Sequence, residues 1–324
     1  MNWGVLSTAR IGRDWVIPAI QHSSNGQVTS IASRDENKAR KISSSLGIPN
    51  HYGDYQKLLE SDELDIVYIP LPNSMHHEWT ILAAESGKHV LCEKPLALNA
   101  REAEEMISAC RKAGVWLLEG FMYRHYLHIA KLREMLESGR IGNVSVARIE
   151  FTFRLDDPSD IRLQKQLGGG ALYDLGCYCV DFSRLIFHSE PDKVKAIAHY
   201  TEDGVDNTLT GMMRFQNGQI SLFDCGFQTI QRSLVDLLGE KGTLTLMAAF
   251  EPGFQPAIML RTEARSESFQ CEKSDPYRLM AEHFVESIQS DKAPAHTPDD
   301  SLKNMRLIDA LYESAKDDTI RLSN

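Results

Sequence analysis

Four short stretches hold residues whose types and spacing could do chemistry. The first, Ser7-Thr8-Ala9-Arg10-Ile11-Gly12, follows the apolar run Trp3-Gly4-Val5-Leu6. A strand that turns sharply into a helix offers unpaired backbone N–H groups and the positive end of a helix dipole, a ready seat for phosphate. The dinucleotide version of this turn reads G-x-G-x-x-G. Here Ser7 and Ala9 stand at the first two glycine positions and only Gly12 remains. Ala9 adds one methyl beneath a pyrophosphate, and Ser7 must take the bend at some conformational cost.

The second stretch is Ser33-Arg34, which ends "VTSIASR" 21 residues after Gly12. A carboxylate at this place would bind the ribose 2′-hydroxyl of NAD and repel a 2′-phosphate. A hydroxyl and a guanidinium, with Lys38 one helical turn on, would grip that phosphate instead. The sequence therefore favours NADP over NAD as cofactor, the alternative being a solvated loop arginine. The third stretch, Glu93-Lys94-Pro95, closes the apolar run "HVLC". Open α/β sheets bind ligands at their strand ends, where a partly desolvated lysine can hold or polarise a substrate oxygen. The fourth is "GGGALYDLGCYCVD". Asp174, Tyr178 and Asp181 fall at i, i+4 and i+7 and so share one helix face, and the run Gly168 to Gly170 lets that helix start close to a ligand.

Around these stretches, short apolar runs alternate with helical ones. "GVLS" leads to "RIGRDWVIPAIQHS", "VTSIAS" to "DENKARKISSSLG", "DIVYIP" to "HHEWTILAAESG", "HVLCEK" to "NAREAEEMISACRKAG", and "VWLLEG" closes the series. This is an α/β Rossmann-type domain with a parallel sheet covered on both faces. Asn99 followed by Glu102 marks a helix start, and Gly87 and Gly114 mark helix ends. After a helix near Tyr126 to Ser138 the pattern changes to longer alternating strands. In "VSVARIEFTFRL", Ile149, Phe151, Phe153 and Leu155 share one face, and Asn217-Gly218 joins "LTGMMRF" to "QISLFDCGF" as a hairpin. "SLVDLLGEKGTLTL" reads as another antiparallel pair. The second half is an α+β domain with a large, mostly antiparallel sheet. With the boundary near Met122, residues 1–122 bind dinucleotide and residues 123–324 bind substrate and oligomerise. The helical stretches near Tyr277 to Ser290 and Asp299 to Ala315 are able to pack on either domain.

The motifs "STARIG", "PLPNSMHHEW", "CEKPLALN" and "LGGGALYDLGCYCVDF", spread over nearly the whole chain, resemble the glucose-fructose oxidoreductase/inositol dehydrogenase/MocA family of NAD(P)-dependent sugar oxidoreductases. The family's helix motif usually ends in Asp and His, whereas this chain has Asp174 and Tyr178. That departure resembles the branch of dimeric dihydrodiol dehydrogenases, NADP-dependent D-xylose dehydrogenases and keto-sugar reductases, in which a Lys and a Tyr form the proposed catalytic pair. The resemblance implies Tyr178 as acid and base, and Lys94 as the cation that orients substrate and favours the phenolate. It implies Asp174 as an orienter of substrate or of Lys94. It also implies that Leu71, Pro72, Asn73 and His76 run along the cofactor, that Glu93 lies at the nicotinamide side, and that Arg162 reaches cofactor or substrate. For Tyr178 the plainer alternative is packing. For Arg124-His125, lining a substrate crevice and packing at the domain boundary stand equal.

Bulk properties restrict the remaining choices. With 42% hydrophobic and 25% charged residues the composition is that of a soluble globular protein, and a net charge of −10 argues against nucleic acid or an anionic membrane as a general partner. No apolar stretch reaches membrane-spanning length and no signal-peptide pattern opens the chain. The cysteines at 92, 110, 177, 179, 225 and 271 are scattered through apolar runs, as in a reduced, cytoplasmic protein. No metal site is expected: Cys177 and Cys179 diverge on a helix, as do His76 and His77. The leading expectation is an NADP-dependent oxidoreductase moving hydride between nicotinamide and a carbinol or carbonyl carbon of a sugar, keto-sugar or diol. The alternatives are an NAD-dependent glycosidase of the same family and a non-catalytic nucleotide-sensing regulator. A homodimer through the C-terminal sheet is expected, because that sheet leaves one face uncovered by its own helices. Which sugar or diol is bound depends on pocket residues whose register one sequence does not fix.

Overall fold

The computed structural model describes residues 1–316, and these fall into two compact units, residues 1–122 with 275–305 and residues 123–274 with the chain from Arg306 onward. In the first unit, β1 (Asn2–Leu6), β2 (Gln27–Ala32), β3 (Asn50–Tyr52), β4 (Ile66–Ile69), β5 (His89–Cys92) and β6 (Leu117–Glu119) form one sheet in the order β3-β2-β1-β4-β5-β6. Every pairing in it is parallel. Runs such as Ile66-Val67-Tyr68-Ile69 are buried throughout, as strands covered on both faces must be. The strand order reverses between β1 and β4, which sets a crevice outside their carboxyl ends.

The helices of this unit begin and end for local reasons. A π-helical turn, Gly12–Val16, precedes α1 (Ile17–Gln21). Asp35 caps α2 (Glu36–Leu46) by accepting from the Asn37 and Lys38 N–H groups, and Asp54 likewise caps α3 (Tyr55–Leu59). After α4 (His76–Glu85) and β5, the Asn99 side chain accepts the Glu102 N–H at the start of α5 (Ala100–Ala113), and Gly114 at φ 69° ends it. The strand β3 and helix α3 were not visible in the sequence pattern. A three-residue edge strand of half-buried Asn50, His51 and Tyr52 carries no apolar alternation.

The second unit is built on a sheet of eight strands. It contains α6 (Leu127–Glu137), β7 (Val144–Thr152), α7 (Cys177–Phe187), β8 (Pro191–Tyr200), β9 (Asp206–Phe215), β10 (Ile220–Gly226), β11 (Arg232–Gly239), β12 (Gly242–Met247), β13 (Ala257–Thr262) and β14 (Ser266–Gln270). The order is β14-β13-β12-β11-β7-β10-β9-β8, antiparallel except for the parallel pair β7 and β10. Across the inner face Phe223, Ile149, Val235, Leu246 and Ile258 lie in register and are buried, and α7 packs over β7 and β10. The hairpin at Asn217-Gly218 forms with Gly218 at φ 80°. The regular strand β7 ends at Thr152, short of the expected Phe153 and Leu155, although both still donate backbone hydrogen bonds to Gly226 and Phe227. The chain then returns to the first unit with α8 (Pro276–Gln289), whose Phe284 meets Trp3 edge to face at 6.2 Å. The last described element is α9 (Pro298–Lys316), and no helix among the described residues is long and apolar enough to cross a membrane. All six cysteines are free thiols and buried.

Candidate active site

The first unit carries the turn that replaces two glycines. Ser7 sits at φ 128°, the conformation that glycine normally supplies, at a strain on the order of 1–3 kcal/mol for a residue with a side chain. Its hydroxyl offsets part of that strain, accepting the Ala9 N–H at 3.0 Å and donating to the Pro70 carbonyl at 3.2 Å. Pro70 follows β4, so this bond ties together the two strand ends that flank the crevice. Gly12, by contrast, has room for a methyl: an added Cβ would meet Pro70 and Tyr68 carbons at 3.6 Å, ordinary contact. The glycine conformation is thus kept where the glycine was lost, and the glycine is kept where packing does not demand it. Thr8 and Gly12 are buried, Ala9 and Ile11 half-buried, and Arg10 projects into solvent with Asp14 at 3.4 Å.

At the end of β2, Ser33 is buried and its Oγ accepts the Asp35 N–H at 3.2 Å. The carboxylate next in sequence, Asp35, is committed to capping α2. Arg34 and Lys38 are both exposed, and the Arg34 guanidinium lies against the Tyr55 hydroxyl. The available groups here are cationic, which suits a phosphate better than a ribose hydroxyl.

The loop after β5 is fixed from several sides. The Tyr68 hydroxyl donates to Glu93 Oε1 at 2.6 Å, and burial together with the Glu93 charge holds that phenol well above its usual pKa, a neutral donor. The Leu96 N–H donates to the buried Glu119 carboxylate at 2.8 Å, and His296 Nε2 lies 3.4 Å from the other oxygen. His76, expected along the cofactor, is fully buried. Its ring nitrogens sit 3.0 Å from the Pro95 carbonyl and 2.9 Å from the Leu71 carbonyl, and burial lowers its pKa. It therefore acts by joining the loops after β4 and β5. The Lys94-Pro95 peptide is cis; Glu93, Lys94, Pro72 and Asn73 are half-buried and Leu71 is buried.

In the second unit, Tyr178 lies on the first turn of α7 and is 7% exposed. Its ring is boxed by Phe151 at 5.3 Å, Phe250 at 5.5 Å and Tyr123 at 5.7 Å. Asp174 is one turn earlier, in the π-helical segment Leu172–Gly176 that precedes α7. Its Oδ2 accepts from Arg162 Nε at 2.7 Å, and Arg162, also paired with Asp160, has its pKa raised chiefly by Asp174 and lies over the Phe153 ring. Asp174 and Arg162 are thus brought together as a pair. Along this helix Asp174 is half-buried, Tyr178 nearly buried and Asp181 fully buried, and Tyr123 touches both of the last two. Asp181 accepts from the Tyr123 hydroxyl at 2.5 Å and from the Arg124 guanidinium at 2.5 and 2.7 Å.

Two glycines of the run Gly168 to Gly170 lie close to other atoms of the protein. A Cβ on Gly169 would collide with the Arg162 carbonyl, and one on Gly170, at φ 143°, with Asp206 Oδ1 and the Tyr312 hydroxyl. The close approach that Gly169 and Gly170 permit here is to the chain's own atoms. Sequence reasoning passed over Tyr68, Glu119, Phe250 and Asp206. Glu119 did carry a signal, an acid ending the apolar strand "VWLLE". Among the described residues no group of three or more His, Cys, Asp or Glu is placed to hold a metal ion.

A Rossmann unit with a modified phosphate turn, followed by a unit built on a large mixed sheet, defines a two-part nucleotide-dependent oxidoreductase. Residues 1–121 match the GFO/IDH/MocA oxidoreductase family, with its NAD-binding Rossmann fold, and residues 129–245 match the GFO/IDH/MocA C-terminal domain. The chain belongs to this family. It is 38% identical over 320 residues to D-xylose 1-dehydrogenase (NADP(+)) 2 of Haloferax volcanii, covering 98% of each chain. It is 34% identical over 252 residues to trans-1,2-dihydrobenzene-1,2-diol dehydrogenase of Xenopus laevis, covering 76% of this chain and 74% of that one. A crystal structure of a 3-ketoreductase from Actinomadura kijaniata with NADP and TDP-benzene superposes with a TM-score of 0.93 at 29% identity, covering 97% of each chain. The branch expected from Tyr178, that of xylose and dihydrodiol dehydrogenases, is the one these relatives represent.

Proposed function

We propose that this protein is an NADP-dependent dehydrogenase or reductase acting on a carbinol or carbonyl carbon of a sugar, keto-sugar or related diol. The observation that carries the cofactor half is the end of β2, where Arg34 and Lys38 stand exposed and the neighbouring Asp35 carboxylate is used as a helix cap. Ser7 to Gly12, Leu71 to Asn73, Glu93 and Arg162 would hold the rest of it, and the cofactor would supply or accept the hydride. Tyr178 then gives or takes the proton on the substrate oxygen, Lys94 orients that oxygen and favours the phenolate, and Asp174, itself steadied by Arg162, fixes a neighbouring hydroxyl. The relatives support this assignment. The ketoreductase has been solved with one tyrosine changed to phenylalanine and with one lysine changed to alanine or glutamate, at positions as far apart in that chain as Lys94 and Tyr178 are here.

Turnover of D-xylose, other aldoses, keto-sugars and aromatic dihydrodiols with NADP or NADPH, followed by absorbance of the reduced cofactor, identifies the substrate. On the best of them Tyr178→Phe should lower turnover on the order of 10²–10⁴-fold while keeping the fold and cofactor binding. Adding Lys94→Ala should cost much less than the product of the single losses, because two groups acting as a unit do not lose independently. Near-wild-type turnover of Tyr178→Phe would move proton transfer elsewhere. A homodimer formed through the sheet of the second unit completes the reading.

A further inference from the structure

The helix that carries Asp174 and Tyr178 starts without a capping side chain of its own. Gly168, Gly169 and Gly170 precede it, Ala171 occupies the cap position, and no local side chain accepts from its first N–H groups. A helix start left this way has orphan donors and an uncompensated dipole. The missing acceptor comes from the first residue of β9. Asp206 is 2% exposed, its Oδ2 accepts the Leu172 N–H at 2.8 Å, and its Oδ1 accepts the Tyr312 hydroxyl at 2.9 Å. The same Oδ1 and hydroxyl fill the space in which a Gly170 side chain would stand, so no residue with a Cβ could replace that glycine without displacing them. Tyr173 closes the group, its ring 5.0 Å from that of Tyr312. From Gly170 the backbone proceeds directly into the turn, with the Asp174 N–H donating to the Gly170 carbonyl at 3.0 Å.

We propose that Asp206 is the positioning residue of the active-site helix, a remote N-cap that sets the placement of the turns bearing Asp174 and Tyr178. This rests on the functional reading of Tyr178 given above. A carboxylate suits the post because an ionised one accepts from both donors at once and faces the positive helix end. When protonated it holds them less firmly. Burial raises its pKa to about 6, so that change falls close to neutrality. The ionisable groups around it are Tyr312 from α9, Tyr200 and His199 from β8, the ring of His199 2.9 Å from Asn207 Oδ1 and Lys316 beside the Tyr200 phenol, and Cys225 from β10. Tyr312, Tyr200 and Cys225 have burial-raised pKa values and Lys316 is raised by Glu313, so these four keep their protons in that range, and a step belonging to His199 would persist in Asp206→Asn.

The test needs no substrate. The full-length protein is labelled with ¹³Cζ-tyrosine, the Tyr178 resonance is assigned by its loss in Tyr178→Phe, and its shift is followed against pH. In the wild type that resonance should move in one step near the Asp206 value, about 6. The step should vanish in Asp206→Asn. In Tyr312→Phe, which removes a hydrogen bond that lowers the Asp206 pKa, the step should move to higher pH. A cap that is only structural would lower the melting temperature of Asp206→Asn and leave Tyr178 indifferent to pH in the wild type; that result overturns the proposal. So does a step that persists in Asp206→Asn or stays in place in Tyr312→Phe. Turnover of Tyr178→Phe is scored separately. If it is unimpaired, the proton-transfer reading fails while a step abolished by Asp206→Asn still shows that Asp206 positions the helix.

Discussion

At Arg34 we expect a single guanidinium to decide between two cofactors. It is exposed, it has Lys38 beyond it, and Asp35 is turned away into its helix cap. Arg34→Gln should therefore weaken NADP far more than NAD. A charge-assisted hydrogen bond to phosphate contributes about 1.5–3 kcal/mol, or roughly ten- to a hundredfold in affinity, and added salt should narrow the gap because the site is open to solvent. Fluorescence titration with both cofactors measures it, and equal losses would mean that Arg34 does not meet the 2′-phosphate. The exposed charge of Arg34 at the end of β2 was legible in the sequence, because that follows from residue type and distance along the chain. Ser7 was legible only in part. The substitution stood in plain view, but the pair of bonds from its hydroxyl that makes φ 128° tolerable depends on Pro70, which only the folded sheet brings near.

Among the elements, the helix that starts at Leu172 shows most clearly where sequence spacing stops being informative. Asp174, Tyr178 and Asp181 run from half-buried to buried along it, and it opens on a π turn between Leu172 and Gly176 that residue spacing does not reveal. Of the glycines before it, Gly170 makes way for Asp206 and Gly169 for the Arg162 carbonyl, contacts distant in sequence or hidden in a turn. The long amphipathic helices and the apolar strands read correctly because periodicity alone specifies them, whereas the edge strand β3 has none. Burying the Asp206 carboxyl, a burden its hydrogen bonds to Leu172 and Tyr312 only partly offset, has a cost in stability that can be measured. Its pKa is raised in the folded chain from 3.8 to about 6, so the folded state holds that proton more tightly than the unfolded state does. The associated stability is whole below the ordinary carboxylate value and is lost as the pH rises through about 6. At about 1.4 kcal/mol per pKa unit the loss is about 3 kcal/mol. Asp206→Asn has no proton to lose, so the wild type's melting temperature should fall relative to the variant's as pH is raised through this range. A difference that does not change with pH would mean that Asp206 does not titrate there.

For the whole molecule, we expect the outer face of the second unit's sheet to set how copies associate. Strand register places Lys195, Met212, Leu222, Arg148, Asp236, Thr245 and Met259 in one row on that face, with Ile197 and Met247 in the next. Met212, Leu222, Met247, Met259 and Ile197 are exposed at 37 to 77%, while the opposite face of the same strands is buried. Apolar side chains grouped on one open sheet face, in a chain whose net charge of −10 would otherwise keep copies apart, favour a self-complementary contact. Two-fold symmetry places each residue of such a contact in the interface twice. Leu222→Asp should therefore bring two desolvated like charges into one interface and dissociate the pair, while leaving the buried inner face and the active-site helix of each chain untouched. Light scattering at micromolar concentration should give twice the chain mass for the wild type and the chain mass for Leu222→Asp. A wild type that is monomeric under these conditions, or a Leu222→Asp protein that remains paired, would remove this face as the site of association.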